Sequence, residues 1–432
     1  MSSTITRRRS FAVVGAVLAS ALFLSACSGA PQQEETTELN VYLANHAWTD
    51  ALKSQVSEFE AETGIKVSIT QMEQNQLEDQ YSVKLNAGAT DIDVMMYRPL
   101  QVAKLYARNA YSVDITDRVN GAGDWDWSDF QESLRALVTV DGKVVGVPVA
   151  AENEVVFYRK DLLAKHGIQT PTTLDEFEKA VAAIDAAEPG VVGFVARTNA
   201  SAAVTMLSSF LYSLGGDWIG ADGSSAIDSP AAKQAYALYG RLVRDYGPEQ
   251  VSTDMQFADA MALFAQGKAA FYPEASSLYP STVDPSSSTL LPEQVGVLPF
   301  PAGSAGSRPM SVAAYALGIN EFSPNKDAAW QFIKWATSKA LMADVQKAGI
   351  MATRASTLQD QDALGSMASD LVSAFAANAA VGVPYDRPLV INVAKAREIV
   401  GSPIVEAIIG GDSDAAADRA SAEFQALLDS ER

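Results

Sequence analysis

The chain reads as a two-lobed α/β protein, each lobe a mainly parallel sheet flanked by helices. Strand-like and helix-like patterns alternate from Leu39 onward, the signature of β-α-β units with right-handed crossovers. The stretch from Leu39 to Arg432 exceeds the roughly 250–300 residues at which a single hydrophobic core stops growing, so two cores are expected. Helical spacing dominates from Ala202 onward, which makes the second half helix-rich.

Leu39–Ala44 alternates and carries β-formers, Trp48–Glu62 has helical spacing ending before Gly64, and Lys66–Thr70 alternates again. Asp93–Tyr97 supplies a third strand and Leu100–Ala107 a helix. Val138–Val147 reads as a hairpin turning at Asp141-Gly142. After the strand Glu154–Tyr158 come helices at Asp161–His166 and Leu174–Ala187, the latter opened by Thr172 or Thr173 as N-cap with Glu176 nearby. Helices follow at Ala203–Leu214, Pro230–Tyr246 and Asp254–Gln266, each bounded by Gly, Ser or Asp signals. Strands return at Ala269–Tyr272, Val295–Leu298 and Met310–Ile319, with a turn-rich break at Pro299–Gly306. The remaining helices are Asn325–Thr337, Lys339–Lys347, Ser366–Asn378, Ala394–Ile409 and Ala415–Leu428.

The 432 residues include 52 acidic and 32 basic ones, for a net charge of −20. Without Arg7, Arg8 and Arg9 the balance is 29 basic against 52 acidic, or −23. Such a chain repels phosphate backbones, which argues against nucleic acid as a partner.

Residues 1–26 have the form of a secretory signal peptide: a basic start, an apolar run to Phe23, then Leu24-Ser25-Ala26 before Cys27, the sole cysteine. Leu-Ser-Ala-Cys resembles the bacterial lipobox, which implies a diacylglyceryl group on Cys27 and a lipid anchor as the only membrane contact. Arg8-Arg9-Ser10-Phe11 also looks like a twin-arginine signal, so both general and twin-arginine export stand open. Residues 27–38 are polar and read as a flexible tether.

Six segments resemble, in order, the bacterial extracellular solute-binding proteins of family 1, the maltose-binding-like group that serves ABC importers. They are Phe59–Val67, Asp93–Tyr97, Gly146–Glu152, Val156–Leu163, Phe264–Ala270 and Ser323–Trp335. The resemblance implies a type II-like periplasmic-binding-protein fold with three hinge crossings. These are placed at 149–153, 300–308 and 351–355, giving lobe 1 as 39–148 with 309–350 and lobe 2 as 154–299 with 356–432. It further implies an exported, membrane-anchored receptor on the extracytoplasmic face that captures a sugar, oligosaccharide or polyol and delivers it to permease subunits. A monomer without cofactor, metal or catalytic residue is the corresponding expectation.

Ligands in open parallel sheets sit beyond the carboxyl ends of strands, and sugars need aromatic faces and planar polar groups. Trp48, with Asn45 and His46, follows the first strand, and Tyr97 with Arg98 ends the third. Glu152 matches an acidic ligand contact of the resembled group, and Asn153 stands beside it. Trp218 falls in a region that group often uses. Tyr272-Pro-Glu-Ala-Ser replaces its Gly-Pro-Trp-like segment, which counts against a maltodextrin and leaves Tyr272 and Glu274, or Tyr279, as substitutes. Tyr315 and Arg387 complete the candidates. Trp125 and Trp127 are expected to staple a helix, and Trp330 and Trp335 to be core.

Two rivals remain open. One is a receptor for a polyamine, opine or osmolyte, with Glu152 and Glu274 holding a cation. The other is a secreted glycosidase, which needs a carboxylate pair. Against catalysis, His46 and His166 are the only histidines, and the sequence has no Gly-x-Ser-x-Gly elbow or phosphate loop.

Overall fold

The computed structural model describes residues 38–250, 252–365 and 367–432; the expected signal peptide, most of the tether and Cys27 lie outside them. Among the described residues the strands are β1 Glu38–Ala44, β2 Lys66–Met72, β3 Val94–Tyr97, β4 Thr139–Val140, β5 Lys143–Val144, β6 Val147–Arg159, β7 Val192–Phe194, β8 Ala269–Ala275, β9 Val295–Leu298 and β10 Ser311–Ile319. One sheet runs in the order β2-β1-β3-β10-β6-β8-β7, with β9 also paired to β6.

β1 is parallel to both β2 and β3, and β7 is parallel to β8, as β-α-β connections require. The middle is different. β10 pairs antiparallel with β3 and β6, and β6 with β8 and β9. The first half, β2-β1-β3, is thus parallel as expected, while every antiparallel pair of this sheet involves β6 or β10, which run in opposite directions between the two halves.

Two hydrophobic cores form. The first gathers Leu39, Val41, Val94, Met96, Leu317, Phe332 and Ile333, and the second Val156, Phe157, Phe194, Phe210, Phe271, Tyr239 and Phe424. β6 passes from one to the other between Ala150 and Ala151, inside a continuous 13-residue strand. Residues 149–153, where the first crossing was expected, are thus part of a strand. β10 makes the second passage between Ala313 and Ala316, where its register against β6 shifts. The crossing expected at 300–308 is corrected: Phe300 is buried edge-on against Phe210, and Ala302 bridges Thr173, so this loop belongs to the second core. The third passage falls at Met351 and Ala352.

The helix expected over Trp48–Glu62 forms as two, Ala47–Lys53 and Val56–Thr63. Ser54 separates them, its hydroxyl donating to the Ala51 carbonyl at 2.7 Å in competition with the helical ladder. A helix at Gln74–Asn86 and the short β7 have no counterpart in the sequence reading. The Gln74–Asn86 helix is largely polar, yet it buries Leu77, Tyr81 and Leu85 at a spacing of four. The Leu174–Ala187 helix has the expected capping box: Glu176 N–H donates to the Thr173 hydroxyl, and the Glu176 carboxylate accepts from Thr173 N–H, both at 3.2 Å. Trp125 stacks on Trp127 and meets Trp330 edge-on, all within or against the first core.

Candidate functional site

The carboxyl ends of β1 and β3, the crossing strands, and the starts of the Ala200–Ser213 and Val393–Ile408 helices surround a cleft of about 780 Å³. Five sequence candidates line it: His46, Arg98, Glu152, Tyr315 and Arg387. Their placement follows from local structure. His46 caps the Ala47–Lys53 helix, its Nδ1 accepting from Trp48 N–H at 3.1 Å, and its ring lies 5.0 Å from that of Tyr315. Burial pushes the His46 pKa down despite nearby Asp50, which favours the neutral imidazole.

Arginine forks dominate the walls. Arg98 is held by Glu78 through Nε and Nη2, both at 2.7 Å. Arg197 is held by Glu274, with Nε at 2.7 Å from Oε2 and Nη2 on Oε1. Arg387 pairs with Asp386 and reaches Gln101 Oε1 at 3.3 Å across the cleft. Burial alone would raise the Asp386 carboxyl, but the Arg387 guanidinium holds it well below the usual carboxylate range. Glu152 accepts from the Ser277 hydroxyl, and its burial raises its pKa. Outside the cleft, Lys104 Nζ donates to the Leu389 carbonyl, joining the segments that carry Gln101 and Arg387.

The other seven candidates do not line the cleft, which corrects the sequence reading. Trp48, in the first turn of the helix that His46 caps, is fully buried in the first core. Tyr97 is buried beside it, its hydroxyl donating to the Val145 carbonyl at 3.0 Å in space left by the absent side chains of Gly146 and Gly318. Trp218 lies in the second core and donates to the Tyr212 hydroxyl at 2.7 Å. Tyr272 packs against Phe157 and Phe264, its hydroxyl donating to the Phe257 carbonyl. Asn153 donates to the Phe375 carbonyl at 3.1 Å from inside the crossing strand. Asn45 is exposed and donates to Glu73. Glu274 is buried behind Arg197.

Sequence reasoning missed Arg197, Asp386, Arg397, Asn199, Thr205 and Ser277, all on the cleft. Arg197 follows β7 by three residues. The strand-end rule that selected Arg98 would have selected it had β7 been recognised. Arg397 lies four residues after Val393 and three before Val400, on the apolar face of its helix, where a charged side chain needs a reason.

Glu154, beside the first crossing, is fully buried and accepts from Ser209, while its Oε1 has no partner among the described residues. Burial raises its pKa well above the ordinary value of 4.5, with Glu274 and Asp386 adding to the effect and Ser209 and Arg197 opposing it. An acid whose pKa is raised by folding stabilises at low pH and loses that contribution as pH rises. Glu154→Gln is therefore expected to gain thermal stability over the parent progressively above pH 4.5. Unfolding midpoints from pH 4 to 8 check it; parallel profiles would refute the assignment.

Residues 45–343 match the model of the bacterial extracellular solute-binding protein family. The chain belongs to that family. Its members are solute-binding proteins rather than enzymes, and the family name places them outside the cytoplasm. Among solved structures, maltose-bound MalE3 of T. maritima is 28% identical, with a TM-score of 0.76 over 90% of this chain and 100% of that one. A solute-binding protein of Agrobacterium radiobacter K84 in complex with ribitol is 26% identical, with a TM-score of 0.76 over 90% and 98%. These neighbours are two-lobed binding proteins, and the present chain shares that fold. A mannitol-binding protein of Pseudomonas aeruginosa is 28% identical over 55% of this chain and 56% of its own. The chain spans about half the length of the curated relatives it matches, among them a putative binding protein of Brucella abortus at 26% identity over 49% and 50%. Among the described residues no helix is long and apolar enough to cross a membrane, and no cluster of His, Cys, Asp and Glu is set to hold a metal ion.

Proposed function

We propose that this protein is an extracytoplasmic receptor that captures a sugar, oligosaccharide or polyol between its lobes and delivers it to an ABC importer. The observation that carries this is the cleft of about 780 Å³, walled from both halves of the chain and set with Arg98, Arg197, Arg387 and Arg397. Planar guanidinium forks donate paired hydrogen bonds to vicinal oxygens, and Tyr315 with His46 offers a ring face to C–H surfaces. The ribitol and maltose of the solved neighbours support the same class of ligand.

In this proposal the ligand contacts among the sequence candidates are His46, Arg98, Glu152, Tyr315 and Arg387. The lobes are built on the two cores, β6, β10 and the 351–352 passage act as hinges, and the Arg387–Gln101 and Lys104–Leu389 contacts form on closure. Cys27 carries the lipid that keeps the receptor at the membrane beside its permease. The receptor acts as a monomer and performs no chemistry, so no catalytic residue is assigned.

Titration calorimetry and thermal shift of the full chain against mono- and oligosaccharides, alditols, polyamines and osmolytes test the proposal. A carbohydrate ligand at 100 times its Kd is expected to add about 2.7 kcal/mol of stability, and Arg98→Ala to weaken its binding by tenfold or more. A response confined to amines or osmolytes would replace the ligand class.

A further inference from the structure

Of the four arginines on the cleft, Arg98, Arg197 and Arg387 each have a carboxylate partner. Arg397 has none within ion-pairing distance among the described residues. Its Nε donates to the Ser201 carbonyl at 2.8 Å, and its Nη2 reaches that carbonyl and, at 3.0 Å, the Thr205 hydroxyl. Its Nη1 makes no hydrogen bond to any described residue, although the residue is only 9% exposed and borders the cleft. A buried carboxyl can relieve its burial by taking up a proton; a guanidinium cannot lose one. Asp386, the acid next to this group, has both oxygens on Arg387.

The surroundings add to the positive potential. The first turns of the Ala200–Ser213 and Val393–Ile408 helices border the cleft beside Arg397, and each helix start carries partial positive charge. Gly401 brings the two together, since a side chain there would collide with the Ala200 carbonyl. Among the described residues Glu152 is the one cleft carboxylate outside these three pairs, and it accepts from the Ser277 hydroxyl rather than from Arg397.

We propose that the natural ligand is a polyhydroxylated molecule bearing one acid group, whose anionic oxygens sit on Arg397 between these two helix starts. This rests on the carbohydrate-receptor proposal above and narrows it. The hydroxyls meet the carboxylate-braced arginines, and the acid group pairs directly with Arg397, whose neighbour Asp386 is held by Arg387. A carboxylate, as in an aldonate or uronate, and a sugar phosphate share this chemistry.

The test is titration calorimetry of the full chain with four- to six-carbon aldonates, uronates and sugar phosphates, each beside its neutral alditol or aldose. At least one acid is expected to bind tenfold or more tighter than its neutral counterpart. Arg397→Gln should shrink that ratio to within about threefold. Preference for carboxylates over phosphates, or the reverse, identifies the acid group, and either supports the proposal. Neutral members binding as tightly as every acid would overturn it while leaving the carbohydrate receptor intact; no binding by any member would also overturn it, and the carbohydrate receptor falls with it only if the oligosaccharides of the wider screen fail as well. The acid-to-neutral ratio in the parent protein decides the matter even if the variant does not fold.

Discussion

Arg354→Leu is expected to lose about 3–5 kcal/mol of folding stability, the range for leaving buried charged and polar partners unanswered. Arg354 is fully buried and serves four acceptors at once. Its Nε donates to the Thr337 carbonyl at 2.8 Å, Nη2 to the Trp125 carbonyl at 2.8 Å, and Nη1 to the Asp126 carbonyl and Asp129 carboxylate at 3.2 and 3.1 Å. Its Cζ lies 4.1 Å from the Phe130 ring centre and 5.2 Å from that of Trp125. A leucine restores some apolar contact but leaves three carbonyls without this donor. Lysine keeps the charge, yet one ammonium cannot reproduce a planar fork, so Arg354→Lys should recover only a minor part. Urea unfolding followed by tryptophan fluorescence reads this region directly, because Trp125, Trp127 and Trp330 cluster there. A loss below about 1 kcal/mol for the leucine variant would show that the 123–130 loop finds other partners, and would remove Arg354 as its organiser.

The position of Arg354 shows which parts of this molecule were legible in its sequence. Alternation in Leu39–Ala44 and Lys66–Thr70 announced a β-α-β unit, and Thr173 with Glu176 announced a helix start, because those signals depend on neighbours in the chain. Helix Gln74–Asn86 hid behind polar composition, although Leu77, Tyr81 and Leu85 carried its period. The antiparallel middle of the sheet depends on pairing β6 with β10, more than 150 residues apart in sequence, which no local pattern encodes. At the cleft, the strand-end rule located the right loops but not the side chains that face inward. His46 and Arg98 reach the cleft, while the larger rings of Trp48 and Tyr97 go to the core. Aromatic area is worth more buried than left at a rim, so choosing the largest ring in each loop favoured core residues over cleft-lining ones.

Glu274 was expected to touch ligand; it lies instead buried behind Arg197, and under the proposed function it positions that guanidinium. It is fully buried and accepts both Arg197 donors together with Ala275 N–H at 2.9 Å. Arg197, 16% exposed in its side chain, is the part that borders the cleft. Glu274→Ala leaves that guanidinium without its counter-charge and free to rotate out of register. We expect losses of about 2–5 kcal/mol in both folding and ligand binding, the range for truncating one member of a desolvated charge pair. In affinity this is roughly 30-fold or more. A structural and a ligand-positioning role separate in the double variant Arg197→Met/Glu274→Met. Replacing both members of a buried pair with apolar side chains of similar volume is often neutral for stability, so unfolding should return close to the parent. Binding should not, because the donors themselves are gone. Recovery of both would make the pair a scaffold element alone; recovery of stability with affinity still depressed would place Arg197 against the ligand and Glu274 behind it.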